Sequence, residues 1–474
     1  MSPAQQSPED RPIAALLAPD ILTMLEESPR DVAAETEELH PADLADIVEL
    51  LPRERVRDLL LALPRDRAAD VLEYLDEELR TEVIEAMTSI EAAELVTEMT
   101  PDDRADTLEE LDEEHAEDIL SEIPSEQRRE TEQLLSFGPD TAGGLMTTEF
   151  VSVAATTPVE VALENVRAIA RIGRKESMYS IYATDAQGRL AGVFSLRGLL
   201  AALPGATIGD IAWEEVASVS PSADREEVAR VIANYDLVAL PVVSESGHIM
   251  GVVTVDDVID VIQKEQTEDV QKFGGMEALD MPYTQIGFWP MIQKRVGWLA
   301  ILFVGEMFTS FATNGFSKEL NAGEGILAIL MPLILSSGGN SGSQATSLII
   351  RALALGELQV RDWWRVLLRE LPAGLTLGTI LGAIGFVRIL VQQYLGIGTT
   401  THYPVLLGLT IWIAVVGVVT FGSLVGSMLP FLLRRLRFDP ASASAPFVAT
   451  IVDVTGLVIY FLAAKMMLTG TILR

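Results

Sequence analysis

The chain has 474 residues, with 69 Asp and Glu against 34 Lys and Arg and a formal net charge of −35. That acidity excludes a nucleic-acid binder, which needs a basic face for phosphate, and favours cations or plain solubility. No cysteine is present and the four histidines (His40, His115, His248, His402) are scattered, which excludes disulfides, thiolate catalysis and a histidine-based zinc centre.

The charge is unevenly spread. Residues 1–150 hold 41 acids and 11 bases, residues 151–285 hold 20 and 10, and residues 286–474 hold 8 and 13. The expected architecture is multidomain: an all-α superhelical repeat (1–136), two α/β modules (137–200 and 201–262), a connecting helix (263–285) and an α-helical membrane domain of five spans (286–474). The N-terminus lacks a basic segment followed by an apolar one, so no cleavable signal is expected.

From His40 the sequence repeats every 12 residues, opening at His40, Pro52, Pro64, Asp76, Thr88, Thr100, Asp112 and Pro124. The seventh position is always acidic: Asp46, Asp58, Asp70, Glu82, Glu94, Asp106, Asp118, Glu130. The twelfth is a large aliphatic, from Leu51 through Leu63, Leu75, Met87, Met99, Leu111 and Ile123 to Leu135. Each unit reads as a cap followed by about ten helix formers, and such short helices stack into a superhelix. Repeated carboxylates, as in TPDDRAD (100–106), could hold divalent ions; acids near helix N-termini are also favoured by the helix dipole alone.

Between 137 and 262, short β-branched runs alternate with helical stretches. YSIYATDAQGRLAGVFSLRGLL (179–200) and VALPVVSESGHIMGVVTVDDVIDVI (238–262) both read strand, turn, strand, helix, with Gly188 and Gly247 in the turns. The pair resembles tandem cystathionine-β-synthase-type (CBS) modules, a family that often binds adenosine nucleotides. The second copy keeps Gly251, Thr254 and Asp256, with Thr254 and Asp256 suited to a ribose; the first has Gly192 and Ser195 but Arg197 in place of the acid. A structural or dimerising role stays open beside nucleotide binding.

The segment that follows is dense in acids. Asp257 and Asp260 are three apart, and Glu265 precedes Glu268 and Asp269 by three and four, so they share helix faces. Like charges so placed repel unless a cation or a partner surface neutralises them.

Five apolar stretches (296–316, 325–353, 371–391, 403–433, 447–468) each suffice for a core that needs about 20 helical residues. Basic residues cluster at Lys294 and Arg295, at Arg351, Arg361, Arg365 and Arg369, and at Arg434, Arg435 and Arg437. The positive-inside rule then keeps the soluble part cytoplasmic and puts the C-terminus outside a cell membrane, with Trp363 and Trp364 as an interfacial anchor. GGNSGSQ (338–344) reads as a polar break with irregular backbone in the second span; close packing through small residues explains its glycines but not Asn340 and Gln344 together. Asp453 sits two turns into the last span with no basic partner in reach, and Glu306 is a second acid in the first. Such groups are costly in hydrocarbon and usually face a bundle interior or a water-filled path. Asp453 could instead bond a neighbouring helix; in a symmetric dimer two copies would meet across the axis.

These parts in this order resemble the MgtE-type magnesium transporter family, from about Asp31 onward. Further motifs fall in sequence: LSFGPDTAGGLMTTEFVSV (135–153), NYDLVALPVV (234–243), VTVDDVIDVI (253–262), GGNSGSQ and PFVATIVDVTG (446–456). The resemblance implies a homodimeric, Mg2+-selective channel in the lipid bilayer, with Mg2+ as cargo and regulator and ATP as a candidate ligand of the CBS modules. It implies Asp453 as the pore acid and Asn340 at the second-span motif. Asp103, Asp224, Glu226, Asp236, Asp257, Asp260, Glu265, Glu268 and Asp269 match positions where bound Mg2+ bridges the cytosolic domains, and the helix 263–283 matches one that obstructs the pore when those positions are filled. One residue departs: some relatives carry Asn just before the proline of the last span, where this chain has Ala445. Two other readings are a secondary transporter for another divalent ion such as Co2+ and a nucleotide-sensing membrane receptor. No nucleophile or catalytic acid pair is visible, so an enzyme is not expected.

Overall fold

A helix opens wherever the 12-residue period restarts. The computed structural model describes residues 12–172, 180–279, 283–284, 286–321, 325–397 and 401–473; residues 1–11 of the repeat domain lie outside these. After α1 (Pro12–Glu27) and the one-turn α2 (Val32–Glu35) come α3 (Pro41–Leu50), α4 (Arg53–Ala62), α5 (Arg65–Glu73), α6 (Glu77–Glu85), α7 (Ser89–Val96), α8 (Pro101–Glu109), α9 (Glu113–Glu122) and α10 (Ser125–Leu134). Each of the eight opening residues is an N-cap. Asp76, Thr88 and Asp112 accept from the backbone N–H three residues on, at 2.9, 3.3 and 3.0 Å, and such caps each contribute about 1 kcal/mol.

The twelfth-position residues Leu51, Leu63, Leu75, Met87, Met99, Leu111 and Ile123 share one core. Helices pack on the second one after them in two series, α3 on α5 on α7 on α9, and α6 on α8 on α10. Ion pairs follow the same step: Arg53–Glu82 at 3.5 Å, Arg65–Glu94 at 2.5 Å, Arg80–Glu110, and Arg104–Glu130 at 3.5 Å. Three seventh-position acids thus receive an arginine from two helices back. Where both partners are half-exposed, as in Arg53–Glu82, the pair adds little stability.

In the first α/β module, β1 (Val151–Ala154) runs parallel to β2 (Ile181–Thr184), which pairs antiparallel with β3 (Leu190–Phe194). Helices α11 (Val159–Ile172), α12 (Leu196–Ala201) and α13 (Ile208–Ile211) accompany it, and residues 173–179 lie outside the described ones. The second has α14 (Arg225–Tyr235) and the antiparallel pair β4 (Ala239–Val243) and β5 (Ile249–Thr254), with a parallel bridge Val219↔Val242 standing where β1 stands in the first. Gly188 and Gly247 make the hairpin turns at φ 79° and 87°, a region that glycine enters freely. Ala105 of α8 and Leu134 of α10 belong to the core of the second module, so the end of the repeat docks there.

Helix α15 (Val255–Phe273) follows, and the chain divides into two compact units, Met1–Lys264 and Glu265–Arg474. A single helix over 263–285 is not what forms. It stops at Phe273, because Gly274 and Gly275 (φ +79°) end it and residues 276–279 are irregular; residues 280–282 and 285 are outside the described set.

The second unit contains α16 (Phe288–Gly315), α17 (Ser317–Asn321), α18 (Ile326–Ala354), α19 (Trp363–Leu395), α20 (Pro404–Arg435) and α21 (Ala445–Leu468). All but α17 are long and apolar enough to cross a membrane. The expected break at GGNSGSQ is absent: α18 is continuous through 338–344. Its glycines serve packing instead. A Cβ on Gly422 or Gly426 of α20 would collide with the carbonyl oxygen of Gly338 or Gly342. Ser341 and Ser423 hydroxyls meet at 2.7 Å, and the Thr346 hydroxyl lies 2.9 Å from both Gly342 O and Gly426 O. On the other side of α20, a Cβ on Gly374 or Gly378 of α19 would lie 2.9 Å from Thr420 Cα or 2.7 Å from Val416 Cα. Helices in lipid gain little from apolar burial, so such close backbone contact is what binds them. Gly426→Val is expected to lower the unfolding midpoint of the detergent-solubilised protein, overpacking of this kind costing about 1–3 kcal/mol. Gly315→Ala, where a Cβ meets open space, should leave a circular-dichroism melt unchanged.

Candidate functional site

In the membrane unit, Asp453 is half-buried on α21. Among the described residues no hydrogen bond or ion pair engages it; the charge that bears on it is the carboxylate of Glu306 on α16. The two helices touch where a Cβ on Gly305 would lie 2.8 Å from Thr450 Cγ2. No residue of α16 is buried, and Glu306 itself is exposed. Lys465, the one base on α21, lies 4.0 Å from Glu319 instead. Asn340 and Gln344 share the exposed face of α18, and no hydrogen bond among the described residues joins Asn340 to Asp453. Ser343 of that motif does reach the last span, donating to Ala445 O at 3.4 Å. Ala445 therefore makes this contact through the main chain.

In the first unit, docking of α8 on the second module brings acids together. The Thr100 hydroxyl donates to Asp103 at 2.8 Å. Burial pushes Asp103 above its ordinary range; Thr100 and Arg80 oppose this, while the Asp256 and Asp260 carboxylates of α15 push it further up. Burial and then Asp103 drive Asp106 up to about 7, with Arg80 and Lys264 opposing. Solvent reaches the Asp106 side chain, so counterions screen part of this. Asp257 is turned back on its own helix, accepting from the Thr254 hydroxyl. Asp224 caps α14, accepting from Glu226 N at 2.8 Å, and Asp236 ends it in the left-handed region at φ 50°. The 11 residues of α14 put those two roughly 16 Å apart, so they do not form one site within a chain.

The third group lies in the second unit. Lys272 donates to Asp439 at 2.6 Å and pairs with Glu268. Burial, then Asp439 and Glu265, push Asp269 up to about 6, with Lys272 pulling the other way. Two carboxylates bond this ammonium, and Asp269 also feels its charge. Just beyond, a Cβ on Gly275 would lie 2.9 Å from the Trp298 ring and 3.2 Å from Pro446 Cγ. Trp298 Nε1 donates to Ser444 Oγ at 3.1 Å, and Ser444 caps α21 by accepting from Phe447 N at 3.3 Å. The residues that end the acidic helix are thus seated on the start of the span that carries Asp453. A cavity of about 380 Å³ beside them is lined by Glu268, Lys272, Glu277, Lys294 and Trp298.

Comparison with known proteins resolves what kind of assembly this is. Sequence profiles match an MgtE intracellular N domain at 39–140, CBS domains at 142–205 and 208–264, and MgtE, a divalent cation transporter, at 331–463. The magnesium transporter MgtE of Thermus thermophilus is 44% identical over 341 residues, 72% of this chain and 73% of that protein. The chain belongs to the MgtE family. The Enterococcus faecalis protein of the same name is 35% identical over 343 residues, 72% of each chain. A crystal structure of the soluble part of a magnesium transporter is 32% identical, with a TM-score of 0.50, covering 53% of this chain and 99% of that one. An MgtE-family chain is a membrane transporter rather than an enzyme, as the sequence led one to expect.

Sequence reasoning missed Glu110, Lys272 and Asp439, and it set Asp256 apart for a nucleotide although its carboxylate faces Asp103. Asp106 stood out in TPDDRAD and at the seventh place of the repeat; Asp439, 170 residues after Asp269, had no signal that tied it to that cluster. Because Asp106 is raised in the fold, its contribution to stability is complete below the ordinary carboxylate range and is lost as pH climbs through about 7. Denaturation of residues 1–264 in chelator should therefore show stability falling from pH 5 to pH 8, with a shallower fall for Asp106→Asn.

Proposed function

We propose that the chain is a homodimeric, Mg2+-selective channel of the cell membrane, closed by Mg2+ on its cytosolic side. Asp453 supports this most: a half-buried carboxylate on a membrane-crossing helix, faced by another acid and by no base. Left ionised in hydrocarbon such a pair is unfavourable, and a hydrated divalent cation passing between two copies removes the conflict. Relatives named as magnesium transporters support the choice of ion. Mg2+ prefers octahedral oxygen and gives up water reluctantly, so carboxylates that accept from its water shell suit it better than a stripping cage. Asn340 and Gln344, on the exposed face of α18, belong to the same path in this reading.

The acidic repeat (1–136), the CBS modules (137–200 and 201–262) and the connecting segment (263–285) form the cytosolic sensor of the pore domain (286–474), whose C-terminus lies outside. The donor set fits a hard cation because it offers carboxylate oxygen alone. Asp103 with Asp256, Asp257 and Asp260 would hold it between repeat and module; Asp224, Glu226 and Asp236 would do so at the ends of α14, and Glu265, Glu268 and Asp269 near the pore. Without the cation, repulsion among these carboxylates drives their elements apart; with it bound, they hold α15 and the Gly274–Gly275 turn against the start of α21. The sensor then favours closure by binding more tightly to the closed arrangement. Thr254 and Asp256 remain the candidate contacts for the ribose of ATP, bound independently of the pore.

Asp453→Ala should abolish Mg2+ uptake by proteoliposomes while the dimer still elutes intact; uptake within twofold of the parent would exclude the pore assignment. Asp103→Asn with Asp260→Asn should leave the open current unchanged and raise the internal Mg2+ needed for half-closure by about tenfold, the scale of a 1.4 kcal/mol change. Unchanged inhibition would remove those residues from the sensor.

A further inference from the structure

Seven of the ten arginines in residues 286–474 gather where α18 ends, α19 begins and α20 ends: Arg351, Arg361, Arg365, Arg369, Arg434, Arg435 and Arg437. This is one place, because Leu353, Val366 and Phe431 from those helices share a core. Arg434 is used in the fold, donating to Leu353 O at 3.2 Å, and Arg365 pairs with Asp362 at 3.1 Å and lies over the Trp364 ring. Arg351, Arg361, Arg435 and Arg437 are exposed, and no ion pair among the described residues holds them. In a chain with twice as many acids as bases, four uncompensated guanidinium groups at one corner call for an external anion.

What surrounds them identifies its chemistry. Leu355, Trp363, Trp364, Leu432, Leu436 and Phe438 are all exposed between these arginines. An alternation of Trp, Leu and Arg at the end of membrane helices matches the headgroup layer, where aromatic rings take the boundary and basic side chains reach outward. The 33 residues of α19 give a helix of roughly 50 Å, longer than a hydrocarbon core of about 30 Å. Its first turns therefore have length to spare for that layer.

We infer that this corner is a docking surface for anionic phospholipid, whose phosphates seat on Arg351, Arg361, Arg435 and Arg437 while Trp363 and Trp364 meet the acyl boundary. The guanidinium fork matches phosphate oxygens, and basic pockets between membrane helices favour anionic headgroups. Charge complementarity selects the lipid: a zwitterionic headgroup offers no net charge to balance four cations. The inference needs five membrane-crossing helices but neither the ion nor the orientation, since both leaflets carry phosphate.

The full-length protein, reconstituted in equal parts of phosphatidylcholine and phosphatidylglycerol, tests this by native mass spectrometry during stepwise delipidation. Phosphatidylglycerol should be retained over phosphatidylcholine by about tenfold. The Arg361→Gln, Arg435→Gln, Arg437→Gln triple variant should lose that preference while eluting as the parent does, and Arg388→Gln should keep it. Equal retention of the two lipids by the parent, or an undiminished preference in the triple variant, would overturn the proposal. A photo-crosslinking residue at position 361 gives a second reading that needs no loss of charge elsewhere. Adducts to lipid support the inference; adducts to the acidic residues 1–264 would mean that the chain covers its own corner and would overturn it. Neither result bears on Mg2+ transport, so failure here leaves the channel reading standing.

Discussion

Carboxylates brought together with too few cations are the constraint on which the rest of this structure depends. Asp103 faces Asp256 and Asp260, and Asp269 faces Glu265 and Asp439 around a single lysine. Burial raises the cost of the Asp103 and Asp269 charges, and the neighbouring carboxylates raise it further. Protons or an external cation would relieve this repulsion. In the proposed function, the free energy of packing α8 and α10 on the second α/β module depends on a bound cation. In that reading the repeat and the modules report cation concentration as a change in their own cohesion.

The membrane unit meets the same constraint by other means. Its helices are held by backbone contact along Gly338, Gly342, Gly422 and Gly426, and along Gly374 and Gly378, with hydroxyl bonds from Ser341 and Thr346 across the same crossing. Asp453, half-buried, has no hydrogen bond or ion pair among the described residues, and such a group costs stability unless water or an ion reaches it. The start of α21, two turns before Asp453, is where Trp298, Ser444 and the Gly274–Gly275 turn converge. The end of the connecting segment thus rests against the span that carries the acid.

Local and periodic features of this fold were legible in the sequence; long-range convergence was not. The 12-residue period announced every N-cap from His40 to Pro124 because capping is a local event, decided within one helical turn. The hairpin glycines were equally plain. GGNSGSQ misled, because small and polar residues suit both a broken span and a tight helix crossing, and only the partner helix distinguishes them: Gly422 and Gly426 lie some 80 residues downstream. The connecting segment was read ten residues too long for a related reason, since helix-forming acids ran on in composition while Gly274 and Gly275 ended the backbone pattern. In the candidate site, the individual acids are expectations from helical spacing and family resemblance. Their grouping depended on which face of α8 meets α15 and on a loop at Asp439, neither of which periodicity encodes.

The account stands or falls on whether the chain conducts Mg2+ down its gradient and is shut by the same ion from inside. Inside-out patches holding the reconstituted protein, with Mg2+ as the permeant ion and its concentration titrated on the cytosolic face, measure both properties at once. The expected record is a current that reverses at the Mg2+ equilibrium potential without a sodium or proton gradient and closes as internal Mg2+ rises. A current that requires a coupling ion, or one indifferent to internal Mg2+, would contradict it.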